Sequence, residues 1–213
     1  MVIIPVINCK EESCVRERIA IAEKLACEWV HIDVADGIFA PVLLWKNAED
    51  FKSAIGDGIR AKIEVHLMVS EPEKVLRDWI AVGAKRIIIH AESHFDFSSV
   101  KKECDAHGVE LGISIMAHTD VRTIDPFLSR VSFFQVLSVL PGFSGGVFNN
   151  SALSHISYIR AKTGNDVRIE VDGGIDADRA RQTRDAGCDI ATSSTFIFSS
   201  HDPNEALSIL KNS

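Results

Sequence analysis

The chain alternates. Eight short runs rich in β-branched residues, at 2–7, 29–34, 61–68, 86–90, 110–115, 133–139, 168–172 and 190–193, are separated by longer segments of helical period. A helix after almost every strand makes consecutive strands parallel with right-handed crossovers. The 213 residues leave about 27 for each of eight units, near the lower limit for a (β/α)8 barrel. An open doubly wound sheet is the other architecture for such alternation. Its dinucleotide-binding form carries GxGxxG after the first strand, where this chain reads Asn8-Cys9-Lys10-Glu11. The expected fold is therefore α/β, a (β/α)8 TIM barrel. No Pro/Gly-rich linker or low-complexity stretch divides it, so residues 1–213 are expected to form one domain.

Several helix boundaries carry physical signals. Ser70-Glu71-Pro72-Glu73 reads as a capping box, and Gly83 as the left-handed stop of the same helix. Asp176 and Gly187 bound the next well-marked helix, and Asp202-Pro203-Asn204-Glu205 opens the last.

Composition narrows the function. Lys plus Arg total 23 against 30 Asp plus Glu, a net charge of −7 without any basic block, which speaks against nucleic acid as a partner. No uncharged run reaches the length of a membrane helix. The N-terminus is apolar but lacks a leading positive region, so it does not read as a signal peptide. The five cysteines, Cys9, Cys14, Cys27, Cys104 and Cys188, are scattered without a CxxC and read as free thiols in a reducing cytoplasm.

In a barrel all strands end on one face, where reactive side chains collect. The run 29–34 ends with His31 and Asp33, two apart and so on one side of the strand. The run 61–68 ends with Glu64-Val65-His66-Leu67-Met68, and the run 168–172 ends with Glu170-Val171-Asp172. Taken singly, His31 and His66 read as satisfied core histidines, and Asp36 before Gly37 as a turn residue. Together, His31, Asp33, His66 and Asp172 form a donor set suited to one divalent ion, with Zn, Fe(II), Mn and Co all compatible. His90, followed by Glu92, also ends a strand and is a candidate to support the site from behind. His94, His107, His118, His155 and His201 fall in loops or helices, without assigned chemistry.

Small residues cluster after the last strands, at Pro141 to Gly146, at Gly173-Gly174 and at Ser193-Ser194-Thr195. Such loops let backbone amides approach an anion closely, and the final loops of barrels commonly hold a phosphate.

The segments HIDVADGIFAP, VHLMV, LSVLPGFSGG and EVDGGI resemble, in order, the signatures of the ribulose-phosphate 3-epimerase family. The resemblance runs from about Pro5 to the last helix. It implies a barrel of the ribulose-phosphate-binding type and an isomerase that interconverts D-ribulose 5-phosphate and D-xylulose 5-phosphate through an enediolate. By resemblance, His31, Asp33, His66 and Asp172 hold the metal, and Asp33 and Asp172 are the acid/base pair. Substrate and phosphate contacts fall on Met68, Gly142, Phe143, Ser144, Gly145, Gly173, Gly174, Ser194 and Thr195. A small-molecule ketose phosphate is the expected partner, without nucleic acid or membrane, in a cytoplasmic homo-oligomer.

The chain departs from the family at several places. Val6 stands where the family has Ser, and Asn8, on the same side of the strand, is a candidate substitute. The three methionine positions read Ala35, Met68 and Leu137. Ile38 and Val42 replace His and Asn, the lid reads Phe143-Ser144-Gly145-Gly146, and Ser194 replaces a Gly. These changes raise two alternatives: a 3-epimerase of a six-carbon ketose phosphate such as allulose 6-phosphate, and a non-catalytic sugar-phosphate-binding barrel. A decarboxylase of the D-x-K-x-x-D type is disfavoured by Lys62-Ile63-Glu64-Val65-His66.

Overall fold

In a computed structural model, which describes residues 1–45, 47–56, 59–142 and 145–213, eight parallel strands close into a barrel. In chain order the elements are β1 (Val2–Ile7), α1 (Glu12–Lys24), β2 (Trp29–Asp36), β3 (Leu43–Leu44), α2 (Ala48–Ile55), β4 (Lys62–Met68), α3 (Glu73–Val82), β5 (Arg86–His90), α4 (Phe97–Ala106) and β6 (Glu110–Met116). Then come β7 (Phe133–Leu137), α5 (Ser151–Thr163), β8 (Arg168–Asp172), α6 (Ala177–Asp185), β9 (Ile190–Ser193), α7 (Thr195–Phe198) and α8 (Pro203–Asn212). Hydrogen bonding runs β1-β9-β8-β7-β6-β5-β4-β2, and the β1–β2 pairing, with Val6 opposite His31, closes the ring. The two-residue β3 is an addition that the sequence did not signal; it pairs antiparallel with the end of β2, Ala35 opposite Leu44.

The strand faces divide by residue parity. One parity, including Val30, Ile32, Val65, Leu67, Ile87, Ile89, Ile113, Val136 and Val171, is buried in the apolar shell between barrel and helices. The other lines the lumen. Barrel interiors are usually filled by Val, Ile and Leu. Here a small apolar cluster of Ile4, Ile88, Phe133 and Ile190 gives way to buried His31, Asp33, Glu64, His66, His90, Ser114, Gln135, Glu170, Asp172 and Thr192.

Three local expectations are corrected. The Ser70–Glu73 capping box does not form: α3 starts without a side-chain cap. The Ser70 amide instead donates to Asp36 Oδ2 at 2.7 Å, and Glu73 Oε1 accepts from the Asp96 amide at 3.1 Å, so tertiary partners outcompete the local motif. Between β6 and β7 the connection is a 3-10 turn, Val121–Phe127, rather than an α-helix; Pro126 lies within it and cannot donate a helical hydrogen bond. Cys9 and Cys14 are disulfide-bonded, because the end of β1 and the start of α1 bring their Cα atoms to 5.9 Å. Cys27, Cys104 and Cys188 are free thiols. The other signals hold: Gly83 is left-handed at φ +104°, Asp176 Oδ1 accepts from the Arg179 amide, and Asp202 Oδ1 accepts from the Asn204 and Glu205 amides.

Among the described residues no helix is long and apolar enough to cross a membrane.

Candidate active site

His31 and Asp33 from β2, His66 from β4 and Asp172 from β8 meet at the barrel mouth, as parity and strand order require. One donor atom from each lies within 4.8 Å of the others. Asp33 Oδ1 is 3.3 Å from His31 Nε2 and 3.1 Å from His66 Nδ1, and Asp172 Oδ2 is 3.5 Å from His66 Nδ1.

The groups behind these four orient them. Glu64 Oε1 lies 2.7 Å from His31 Nδ1, so it accepts from that nitrogen and turns Nε2 towards Asp33. His66 Nε2 lies 2.8 Å from His90 Nε2, and His90 Nδ1 lies 3.2 Å from Glu92 Oε2. Burial pushes His90 down to about 4, with the neighbouring His66 adding to the shift, so His90 is neutral at pH 7. It donates from Nδ1 to Glu92 and accepts at Nε2 from His66. His66 Nδ1 then also faces the carboxylates. Glu92 is buried, which raises a carboxyl, yet hydrogen bonds from His90 and the Met116 amide hold it at about 2.

The cluster attracts positive charge. Burial alone lowers a histidine, but hydrogen bonding to Asp33 and Glu64 reverses this, and His31 is pushed well above its ordinary value. His66 is raised in the same way by Asp172 and Asp33. Two inward-facing imidazole nitrogens and two carboxylate oxygens fit one divalent ion of the Zn, Fe(II), Mn or Co type.

A cavity of ≈ 280 Å³ opens directly over the carboxylates, with Asp33 and Asp172 in its lining. Val6, Met68 and Leu137 supply apolar wall. Asn8, also in the lining, donates from Nδ2 to Asp33 Oδ2 at 2.9 Å. Thr192 donates its hydroxyl to Asp172 Oδ1, so each aspartate has one oxygen fixed by a neutral donor. Gly142, Gly145, Gly146, Gly173, Gly174, Ser194 and Thr195 complete the lining on the glycine side. Gly173 has φ +101°, and a Cβ there would stand 2.8 Å from Val139 Cγ1, so this turn needs glycine twice over. Val139 also wedges against Gly146, where an added Cβ would be 3.0 Å away. A Cβ on Gly142 would overlap Val42, so the loop after β7 rests on the loop after β2 and roofs the mouth. Phe143 and Ser144 lie outside the described residues.

The four donors, Asn8, Met68 and the described glycine, Ser and Thr positions thus come together. His90 sits behind His66, outside the lining. Asp36 is a turn residue, accepting from the Ile38 and Phe39 amides at 2.8 Å. Ala35 is buried with Ala40, Leu44 and Met68 and is not part of the cavity lining, and Ile38 is 79% exposed. Several lumen residues escaped the sequence reading: Glu64 in its role behind His31, and Ser114, Gln135, Glu170 and Thr192. Ser114 donates to Gln135 Oε1 at 2.7 Å, and Gln135 donates to Glu170 Oε1 at 3.0 Å. Burial, then the neighbouring Glu64 charge, raises the Glu170 carboxyl well above the usual range. Counting back by twos from His66 and Asp172 would have found Glu64 and Glu170, whereas Ser114, Gln135 and Thr192 lie on strands that carry none of the four donors. Arg18 on α1 was missed as well: it donates from Nη1 to Ser194 Oγ at 3.0 Å and to the Asn8 carbonyl at 3.2 Å.

Fold and mouth together define a class: a (β/α)8 barrel enzyme with an imidazole–carboxylate cluster beneath a cavity rimmed by glycine loops. The chain belongs to the ribulose-phosphate 3-epimerase family, a family of isomerases, whose model matches residues 2–198. It is 34% identical over 184 residues to the ribulose-phosphate 3-epimerase of Treponema pallidum (strain Nichols), covering 83% of this chain and 82% of that one. It is 30% identical over 201 residues to the chloroplastic ribulose-5-phosphate-3-epimerase of Arabidopsis thaliana, covering 92% of this chain and 70% of that one. Among solved structures, a 3-keto-L-gulonate-6-phosphate decarboxylase from Vibrio cholerae superposes with a TM-score of 0.72 at 12% identity, covering 100% of this chain and 95% of that one. A 3-hexulose-6-phosphate synthase gives 0.70 at 15%, covering 100% and 99%. At such identities these two share the fold alone.

Proposed function

We propose that this protein is a metal-dependent 3-epimerase of D-ribulose 5-phosphate and D-xylulose 5-phosphate. The observation that carries the reading is the cavity, which sets Asp33 and Asp172 on its floor and the glycine and serine loops on its side. Epimerisation beside a ketone removes the C3 proton from one face and returns a proton to the other. Asp33 on β2 and Asp172 on β8 approach from different sides of the ring of strands, so one takes the proton while the other delivers it. Asn8 and Thr192 hold one oxygen of each carboxylate and leave the acid/base pair oriented. Val6, Met68 and Leu137 keep water from the reacting carbon. Amides of the Gly173-Gly174 turn, with Ser194 and Thr195, bind the phosphate. A divalent ion held by His31, Asp33, His66 and Asp172 supplies Lewis acidity to the charge that develops on the substrate oxygens.

Turnover in D2O tests this. Metal-loaded protein incubated with D-ribulose 5-phosphate is expected to yield D-xylulose 5-phosphate carrying deuterium at C3, and absence of both label and product refutes the reading. Chelation is expected to abolish turnover and a divalent ion to restore it. One observation favours a second substrate: Val6, aliphatic where the family has Ser, lines the cavity. Comparing kcat/KM for five- and six-carbon ketose phosphates separates the two. A barrel that only binds sugar phosphate shows neither exchange nor stoichiometric metal.

A further inference from the structure

The buried and half-buried arginines differ in their partners. Arg86 meets Glu64 at 2.5 Å and Glu110 at 2.8 Å, and Arg160 meets Asp189 at 2.5 Å. Arg18 is half-buried on α1, with its guanidinium 4.9 Å from the centre of the Phe198 ring. Among the described residues no carboxylate stands within 4.0 Å of it. Its hydrogen bonds go to two residues that line the cavity, Ser194 through its hydroxyl oxygen and Asn8 through its carbonyl. A partly desolvated cation held by neutral oxygens and fastened to a cavity wall, with its chain neighbour Glu17 acting on it only from beyond ion-pair distance, marks a place for an anion.

We propose that Arg18 is a positioning residue for the phosphate of the substrate, acting through Ser194. This rests on the reading that the glycine and serine side of the cavity holds a phosphate ester. Ser194 Oγ accepts from Arg18, so its lone pair is engaged and its own proton is left to donate. The hydroxyl lies on the cavity wall, and an anionic oxygen there receives that proton. The guanidinium, which forms no ion pair within 4.0 Å among the described residues, also offsets part of the phosphate charge in a chain of net charge −7. Its second bond, to the Asn8 carbonyl, ties this end of the cavity to the segment whose Asn8 side chain holds Asp33. Arg18 therefore spans the anchoring end and the proton-transfer end of one substrate.

The test is titration of inorganic phosphate into wild type, R18Q and R18K by calorimetry, with steady-state kinetics on the ketose phosphate. R18Q is expected to weaken phosphate about tenfold, and to raise KM by a similar factor with kcat retained. R18K, which keeps the charge, is expected to recover most of the loss. In the wild type, the Arg18 Nε–H resonance, identified by its absence from R18K, is expected to shift on adding phosphate; this reading needs no variant to fold well. Phosphate binding by R18Q equal to wild type, an unmoved resonance, or a fall in kcat without a rise in KM overturns the proposal. The two readings fail separately. Phosphate binding that depends on Arg18 without ketose turnover removes the epimerase and keeps this inference; turnover and KM indifferent to R18Q remove this inference alone.

Discussion

The two ends of the barrel lumen both bury charged side chains and differ in how those charges are met. At the lower end, the Arg86 guanidinium lies 4.3 Å from the Trp29 ring centre and 3.8 Å from that of Phe133, and it pairs with Glu64 and Glu110. Each charge there has an opposite partner, and aromatic faces fill the remaining directions. At the mouth, by contrast, two imidazoles and two carboxylates each turn one nitrogen or oxygen towards a common point beneath the cavity. Glu64 belongs to both ends, with one oxygen on Arg86 and the other on His31. Mutual satisfaction marks a structural polar cluster, whereas convergence on a shared point marks one arranged for a ligand.

Substitutions at the two ends are expected to separate activity from stability. The largest effect is at the mouth: D33N and D172N are each expected to lower kcat by about 10³-fold, with the melting temperature as the control for folding. Turnover near wild type in either variant removes that residue from the acid/base pair. At the lower end, R86M strips buried Glu64 of its guanidinium partner, leaving only His31 as an ion-pair partner, and is expected to cost about 3 kcal/mol in urea unfolding. An unchanged unfolding midpoint would break the comparison at its root. G112A acts on the same end more gently. Its Cβ would sit 2.7 Å from Phe133 Cδ1 and 3.2 Å from Ile88 Cγ1, and overpacking of this kind costs about 1–3 kcal/mol. The folded G112A protein is expected to keep its kcat, and a selective loss of kcat would show that the two ends are coupled. N8A is the smallest: with the bond to Asp33 gone, kcat/KM is expected to fall about tenfold at nearly unchanged stability.

The sequence made the barrel legible because strand and helix periods alternate from Val2 to the last helix, with the β6–β7 connection as the exception. It made the four donors legible because each pair or single residue falls at a strand end. The capping box failed because Ser70 and Glu73 each have a tertiary partner, Asp36 and the Asp96 amide, that no local pattern encodes. The disulfide was hidden for a related reason. Cys9 and Cys14 look like two scattered thiols until the turn from β1 into α1 folds them together. Arg18 was illegible because its meaning depends on Ser194, 176 residues away, and because its neighbour Glu17 suggests a local ion pair that does not form within 4.0 Å. The polar lumen was the one large feature within reach of the pattern: Glu64, Gln135, Glu170 and Thr192 share the parity of the donors.

The wedge of Val139 between Gly146 and Gly173 constrains how this mouth can evolve. A side chain at either glycine collides with the valine, and at Gly173 the backbone conformation resists it as well. Changes at these three positions are therefore ordered in time. Position 139 has to shrink before position 146 can grow, while position 173 stays closed to both routes. A lineage drifting towards a larger or smaller sugar would have to remodel its rim from the valine outward.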